Sequence, residues 1–304
     1  MHATTRATGS TGSAGSTRSR LALLVLLGSL PCLAGPARAE LRDTRRIERS
    51  FPAAGVRELV VDNVFGSIRV AAGPAGEIRL VASETVTAET PAAAAAARRE
   101  VELEVREEPG RIVLYVDGPF RDDCGEGRRW DPAYQVTHDF AIQAPSGVHL
   151  TLTTVNGGEV SVHGARGGFD VENVNGGIEL LTIAGSGHAA TVNGQVRAVF
   201  TAPPSGEASF KTVNGDVEVE LPEDLAADVR FKTQNGGIFT DFAYTFAEGS
   251  GTTAHREDGR FTLRLEKAVA IRVGGGGPAL RLETLNGDLI LRQANSRASR
   301  RQRP

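Results

Sequence analysis

The feature that most constrains this chain is a short phrase, Thr/Asn-x-Asn-Gly, which recurs along the sequence. A degenerate copy, Asn63-Val-Phe-Gly66, is followed by strong copies whose central residues are Asn156, Asn175, Asn193, Asn214, Asn235 and Asn286. The first four intervals between these Asn are 19, 18, 21 and 21 residues. Such a spacing is typical of one coil of a β-solenoid. The repeat therefore constrains the fold class more strongly than any single residue does.

Apolar residues alternate on both sides of each phrase. Before the glycine, Phe169 and Val171 share a face with Asn173. After it, Ile178 and Leu180 again lie two residues apart on one face. A period of two indicates strands with one buried face. We therefore predict an all-β fold, a single-stranded parallel β-helix or solenoid with coils of about 20 residues. The same parity places the repeat Asn, and the Thr two residues before it, on the apolar face, which predicts an internal ladder of stacked amides.

One alternative is that each Asn-Gly closes a type I′ hairpin between antiparallel strands. A hairpin would not explain why Thr or Asn recurs two residues before the Asn. The copy at Asn156 also has one extra residue before its next apolar position, Val160, which is consistent with a bulge.

The predicted solenoid covers residues 143–292, and residues 40–142 form a looser N-terminal β cap. Within that cap we expect a short helix beginning at Pro91, and a hairpin around Pro109-Gly110. An exposed loop is expected at 118–132. Between the last two copies, strands are expected at 260–265 and 269–273. The Arg-rich residues 293–304 are expected to be a disordered basic tail.

Residues 1–39 have the pattern of a secretory signal peptide, with Arg18 and Arg20 before an apolar run and cleavage after Ala39. The apolar run is too short to span a membrane, and membrane contact is expected to be at most peripheral. We therefore expect an exported protein of the periplasm or the cell surface.

The charge balance argues against a nucleic-acid partner. Removing residues 1–39, which carry four Arg, leaves 30 Lys and Arg against 37 Asp and Glu. A nucleic-acid binder should instead present a basic face. Cys124 is then the only cysteine and cannot form an internal disulfide. No Cys/His cluster predicts a metal, and no motif predicts a cofactor.

The serial phrases, with Ala144-Pro-Ser-Gly-Val-His-Leu150 before them and the run from Val273 to Asp288 at the end, resemble the DUF4097 family. Members are often labelled adhesins. The resemblance is close over residues 143–291 and weaker over 45–142. It implies an exported, envelope-associated β-helical domain with no established catalytic residues. For some members it also implies a link to envelope stress and antimicrobial-peptide defence.

Catalysis is the competing hypothesis, because polysaccharide lyases and hydrolases also use β-helices. Asp216 and Asp288, each two residues after a repeat Asn, are the carboxylates that such an enzyme would use. Outward carboxylates on a solenoid are more often solvated, and the six His are scattered, although His149 and His163 could meet across coils. We therefore predict no catalytic, cofactor or metal residues.

The candidate ligand contact is the loop that carries the only tryptophan. Trp130 is flanked by Arg128 and Arg129, with Tyr134 nearby. Aromatic residues beside arginine can stack on sugars or bind peptides. The alternative is that Trp130 packs the loop onto the first coil. The sequence thus predicts a non-catalytic envelope module, adhesin-like or structural, whose partner is a glycan, a peptide or a protein.

Overall fold

The computed structural model describes residues 40–121, 133–247, 254–257, 260–263 and 267–294. The predicted signal peptide and most of the predicted basic tail lie outside these ranges. The all-β class is confirmed: the described residues form strands in two large sheets, with one α-helix. Within them, no helix has the length and apolar character needed to cross a membrane.

Sheet A has ten strands. In spatial order they are β1 (Leu41–Pro52), β4 (Glu77–Ala88), β7 (Tyr134–Ala144), β3 (Ile68–Ala72), β9 (Val160–His163), β11 (Ile178–Ile183), β13 (Val196–Phe200), β15 (Val217–Leu221), β23 (Leu289–Gln293) and β17 (Ile238–Thr240).

Sheet B has eleven strands. In spatial order they are β18 (Tyr244–Phe246), β21 (Lys267–Val273), β16 (Ala227–Thr233), β22 (Ala279–Glu283), β14 (Ala208–Lys211), β12 (Gly187–Ala190), β10 (Phe169–Glu172), β8 (His149–Thr153), β2 (Glu58–Asp62), β6 (Arg111–Asp117) and β5 (Glu102–Glu108). A separate hairpin joins β19 (Ala254–Glu257) to β20 (Arg260–Leu263). A short 3₁₀ helix spans Pro119–Arg121 at the start of the predicted loop.

Each repeat contributes one strand to each sheet, and the Asn-Gly phrase lies between them. β10 precedes Asn175 in sheet B and β11 follows it in sheet A, and both pair in parallel with the equivalent strands of the neighbouring repeats. The repeat Asn themselves form parallel bridges with one another. The hairpin alternative is therefore wrong, because the two strands flanking an Asn-Gly do not pair with each other.

A closed, single-stranded parallel β-helix is not found. Antiparallel strands occur at both ends of the stack, β1–β4–β7 at one end and β16–β21–β18 at the other. The spatial order also departs from the sequence order, because the rung at Asn286 lies between the rungs at Asn214 and Asn235.

The core lies between the two sheets and is built from the alternating apolar positions. Phe169, Phe210 and Phe231 of sheet B and Phe200 of sheet A are almost fully buried. The rings of Phe200 and Phe210 meet edge to face at a centroid distance of 6.0 Å. Aromatic pairs of this kind add to the free energy gained from burying apolar area.

The N-terminal end of the core is covered by helix α1 (Pro91–Glu100). Thr90 caps it by accepting a hydrogen bond from the Ala93 N–H at 3.1 Å, and Ala97 is buried. The predicted helix at Pro91 is confirmed, as is the predicted hairpin, formed by β5 and β6.

The extra residue in the Asn156 copy is confirmed too, since Asn156 bridges Asn175 while Val160 pairs with Ile178. The two strands expected at 260–265 and 269–273 correspond to β20 and β21. Residues 264–266 lie outside the described ranges.

Candidate functional site

The Thr that precedes each repeat Asn by two residues lies inside. Thr154, Thr191, Thr212, Thr233 and Thr284 are buried, as is Asn173 at the equivalent place. Each donates a hydrogen bond of 2.8–3.2 Å to a glycine carbonyl of the adjacent rung. A buried hydroxyl needs such a partner, and it ties adjacent rungs together. This contact explains why Thr or Asn recurs at that position.

The repeat Asn form a continuous ladder, but on the outside. The Nδ2 groups of Asn175, Asn193, Asn214, Asn286 and Asn235 each donate to the Oδ1 of the preceding rung at 2.7–2.8 Å. These five side chains are exposed, and that of Asn156 is half-buried. The predicted interior position of the Asn row is therefore wrong. Strand alternation stops before the corner, so its parity does not carry through to the Asn.

The two carboxylates considered for catalysis accept hydrogen bonds from backbone N–H groups along the same edge. Asp216 Oδ1 accepts a hydrogen bond from the Asp288 N–H at 2.8 Å, and Asp288 Oδ1 accepts one from the Gly237 N–H at 2.7 Å. Each carboxylate thus satisfies an amide of the next rung. This use is structural, and it accounts for Asp at the position after Asn-Gly in both copies.

The histidines do not assemble into a site. His149 contacts Asp170, with 3.0 Å between Nε2 and Oδ2, rather than His163. Within the ranges that the structure describes, no cluster of His, Cys, Asp and Glu could hold a metal ion.

A row of ionisable side chains crosses the N-terminal end of sheet A. Arg45, Glu84 and His138 are direct neighbours on β1, β4 and β7. Glu84 Oε2 lies 2.8 Å from Arg45 Nη2 and 3.4 Å from His138 Nε2, and both Glu84 and His138 are buried. Burial raises the pKa of Glu84, but the contacts with His138 and Arg45 outweigh it, and the net pKa lies below its ordinary value. The row links the edge strand β1 to β4, and β4 to β7.

Tyr134 is not available as a surface contact. Its side chain is 8% exposed, and its hydroxyl donates to Glu100 Oε2 at 2.5 Å, which joins β7 to α1. The other three predicted contacts, Trp130, Arg128 and Arg129, lie outside the described residues, as does Cys124.

A cavity opens at the far end of the stack, where both sheets end in short strands. It has a volume of about 730 Å³. Its floor is formed by Phe231, Ile271 and Leu291, which are buried. Its mouth carries Phe239 of β17 and Phe246 of β18, which are 54% and 68% exposed. We call this cavity, between β17 and β18, the terminal cleft.

The terminal cleft is apolar at its centre and charged at its rim. The Tyr244 and Phe246 rings meet edge to face at 5.4 Å, which leaves an aromatic wall toward solvent. Asp241 and Arg292 lie at the rim, where Asp241 accepts a hydrogen bond from the Gln293 N–H and Arg292 pairs with Glu218 at 3.1 Å. Large exposed aromatic groups of this kind mark interaction sites.

Sequence reasoning missed this cleft. The signal was present in Phe239, Tyr244 and Phe246, three aromatic residues that lie exposed on the short strands β17 and β18. What the sequence could not show is that these two strands lie at the same end of two different sheets.

Comparisons with known proteins give a family match over the repeats. Residues 137–262 match the family model Toastrack DUF4097. Among curated proteins, none matches the chain.

Three solved structures of bacterial proteins are similar in part. A "putative cell adhesion protein" from Clostridium sporogenes has 8% identity and a TM-score of 0.38, and the match covers 83% of this chain and all of that one. A "putative adhesin" from Bacteroides fragilis has 10% identity, a TM-score of 0.25 and coverage of 82% and 97%. One from Parabacteroides distasonis has 8% identity, a TM-score of 0.22 and the same coverage. The match to the family model at residues 137–262 confirms the resemblance to DUF4097 that the serial Asn-Gly phrases indicated.

Proposed function

We propose that this protein is an exported, non-catalytic, adhesin-like binding module of the cell envelope, and that the terminal cleft is its contact site. The observation that carries the proposal is the aromatic mouth of the cleft. Phe239 and Phe246 are more exposed than any other large apolar residue among those described. Keeping such side chains in water costs free energy that a partner would recover on covering them.

The occupant that fits best is an extended, apolar segment of a partner protein in the envelope. β17 and β18 are the last strands of sheets A and B, and no described strand pairs with their outer sides. An added strand could use the backbone N–H and C=O groups of such an edge, as in β-augmentation. Its alternate side chains would then point into the apolar cleft, because strand side chains alternate in direction.

In this proposal the parallel strands of residues 143–292 act as a stiff solenoid with coils of about 20 residues, which displays the cleft at one end. Export rests on the signal-peptide pattern of residues 1–39, and the location would be the periplasm or the cell surface. Trp130, Arg128 and Arg129 stay candidates for a second contact. A role in envelope stress rests on the family resemblance alone.

The non-catalytic part of the proposal is supported by the use of the two candidate carboxylates. Asp216 and Asp288 each hold a backbone amide of the next rung. An enzyme of the polysaccharide lyase or hydrolase class would need them free to act on a sugar. Turnover of a polysaccharide that Asp216→Asn abolishes would contradict this proposal.

The binding test uses a fluorescein-labelled peptide of alternating valine and threonine with a lysine at each end. We expect saturable binding by fluorescence anisotropy, weakened at least about tenfold by Phe239→Ser or Phe246→Ser. Leu41→Ser is the matched control, because Leu41 is also exposed but lies on β1 at the other end of sheet A. A peptide with proline at its centre loses a main-chain donor and should bind more weakly. Equal affinity for all variants and both peptides would refute the proposal.

A further inference from the structure

A second surface, distinct from the terminal cleft, runs along the Asn-Gly edge. It consists of each repeat Asn and the residue before it, and we call it the amide–aliphatic strip. In spatial order its pairs are Val155-Asn156, Val174-Asn175, Val192-Asn193, Val213-Asn214, Leu285-Asn286 and Gln234-Asn235.

The strip has no charged residue, although 23% of the chain is charged. The outward positions of the neighbouring strands carry charges, such as Asp170, Lys211 and Glu218. The hydrogen-bonded ladder explains why Asn occurs at its positions, but it does not explain the aliphatic residues beside the Asn. Val192 and Leu285 are 38% and 42% exposed, so the core does not require them. An uncharged, partly aliphatic strip on the outer surface therefore needs another explanation.

The Asn side chains retain hydrogen-bonding capacity on their exposed side. A side-chain amide has two N–H donors and a carbonyl with two lone pairs. Asn193, for example, donates once to Asn175 and accepts once from Asn214. One donor and one acceptor are left on each inner rung. Because adjacent strands are about 4.8 Å apart, six rungs present these groups over roughly 24 Å.

The backbone along the strip is already paired. The Asn193 N–H donates to the Val174 carbonyl at 2.7 Å, and the Gly194 N–H donates to the Asn214 carbonyl at 3.0 Å. The Asn N–H groups of the remaining rungs repeat the first bond, and Gly176, Gly215 and Gly287 repeat the second. A peptide strand therefore cannot add to this edge through main-chain bonds, in contrast to the outer side of β17.

The size and charge of the strip decide which of the remaining classes of partner could bind it. The strip is two residues, or about 7 Å, wide and roughly 24 Å long, so it offers roughly 160 Å², whereas a stable protein interface buries about 800 Å² on each partner. A second copy of this chain or a globular protein would thus need further contacts. A polyanion, such as a nucleic acid, finds no counter-charge on the strip. A single chain of neutral sugars is narrow enough and carries donors and acceptors along its length.

We propose that the amide–aliphatic strip binds a linear, neutral polysaccharide that lies along the rungs. The hydroxyl or acetamido groups of the glycan would bond to the spare donors and acceptors of the Asn amides. Its C–H faces would pack on the side chains of Val174, Val192, Val213 and Leu285. This goes beyond the proposed function, in which the terminal cleft takes a peptide, and it stands on separate residues.

The test is isothermal titration calorimetry of the protein with cellohexaose and with chitohexaose. The first offers hydroxyl groups only, and the second adds acetamido groups. We expect saturable binding of at least one. Val192→Asp and Leu285→Asp, which place a charge on the strip but leave the Asn ladder intact, should weaken it at least about tenfold. Leu41→Asp is the matched control and should bind as the wild type does. Unchanged circular dichroism and melting temperature would show that the variants fold.

Two outcomes would overturn the inference: no saturable binding of either hexasaccharide, or equal affinity in the strip variants and the control. Phe246→Ser separates this site from the cleft. It should lose binding of the valine–threonine peptide while it retains binding of the hexasaccharide, and the strip variants should show the reverse.

Discussion

Asn214 donates a hydrogen bond from its Nδ2 to the Oδ1 of Asn193 at 2.8 Å, although both side chains are exposed to solvent. Two residues earlier, Thr212 is buried and donates to the Gly194 carbonyl, also at 2.8 Å. The same phrase thus makes one bond inside the core and one outside it. The two bonds differ in what replaces them when they are lost, because water reaches only the outer one.

Removing the inner bond should cost more than removing the outer one. Thr212→Val keeps the shape of the side chain but leaves the Gly194 carbonyl without the hydroxyl. We expect a loss of about 1–3 kcal/mol in the free energy of unfolding, measured by urea denaturation.

Asn214→Ala is the matched change on the outside. It interrupts the ladder on both sides, but water can bond to the freed amides of Asn193 and Asn286, so a loss below about 1 kcal/mol is expected. A larger loss from Asn214→Ala than from Thr212→Val would contradict the assignment of inner and outer rows.

The glycine of the phrase is required by close stacking. A Cβ on Gly194 would overlap the Gly176 carbonyl of the preceding rung. Gly194→Ala should therefore push the rungs apart and destabilise the fold by about 1–3 kcal/mol. Gly147 is the control, because a Cβ there meets no atom. If Gly147→Ala lowered the melting temperature as much as Gly194→Ala, the stacking explanation would fail.

Glu84, in the row of ionisable side chains of the cap, predicts a pH dependence of stability. The pKa of Glu84 is lower in the folded protein than its ordinary value, so folding favours the ionised form. The stability that this gives is present above the unfolded pKa, about 4.3. It is lost as the pH falls through the folded pKa.

Glu84→Gln removes the titrating group and keeps the shape of the side chain. The variant should be less stable than the wild type at pH 7, and the gap should narrow as the pH falls below about 4. Urea unfolding across this range measures it. A gap of constant size would show that the ionisation of Glu84 does not contribute.

Much of the fold follows from the sequence because buried strands leave a period of two. Phe169, Val171 and Phe210 are buried as that period requires. The period could not place the repeat Asn, because β10 ends at Glu172 and the corner that follows turns Asn175 outward. Nor could it place the rung of Asn286 between those of Asn214 and Asn235. Because the repeats are so similar in sequence, they do not indicate the spatial order in which their rungs stack.

The candidate sites were harder to predict for a related reason. The terminal cleft depends on β17 and β18 ending two different sheets at one end, and this is a property of the topology. The amide–aliphatic strip is different. Val192 and its equivalents are visible in the sequence, but they suggest a surface only once the Asn beside them are known to face solvent.

The most direct test of the account is hydrogen–deuterium exchange of the protein with and without the valine–threonine peptide. Binding by strand addition should slow exchange of backbone amides in β17, at Ile238 to Thr240, and leave the Asn-Gly edge unchanged. Protection confined to other parts of the chain, or no protection at saturating peptide, would contradict the claim that this protein binds its partner at the terminal cleft.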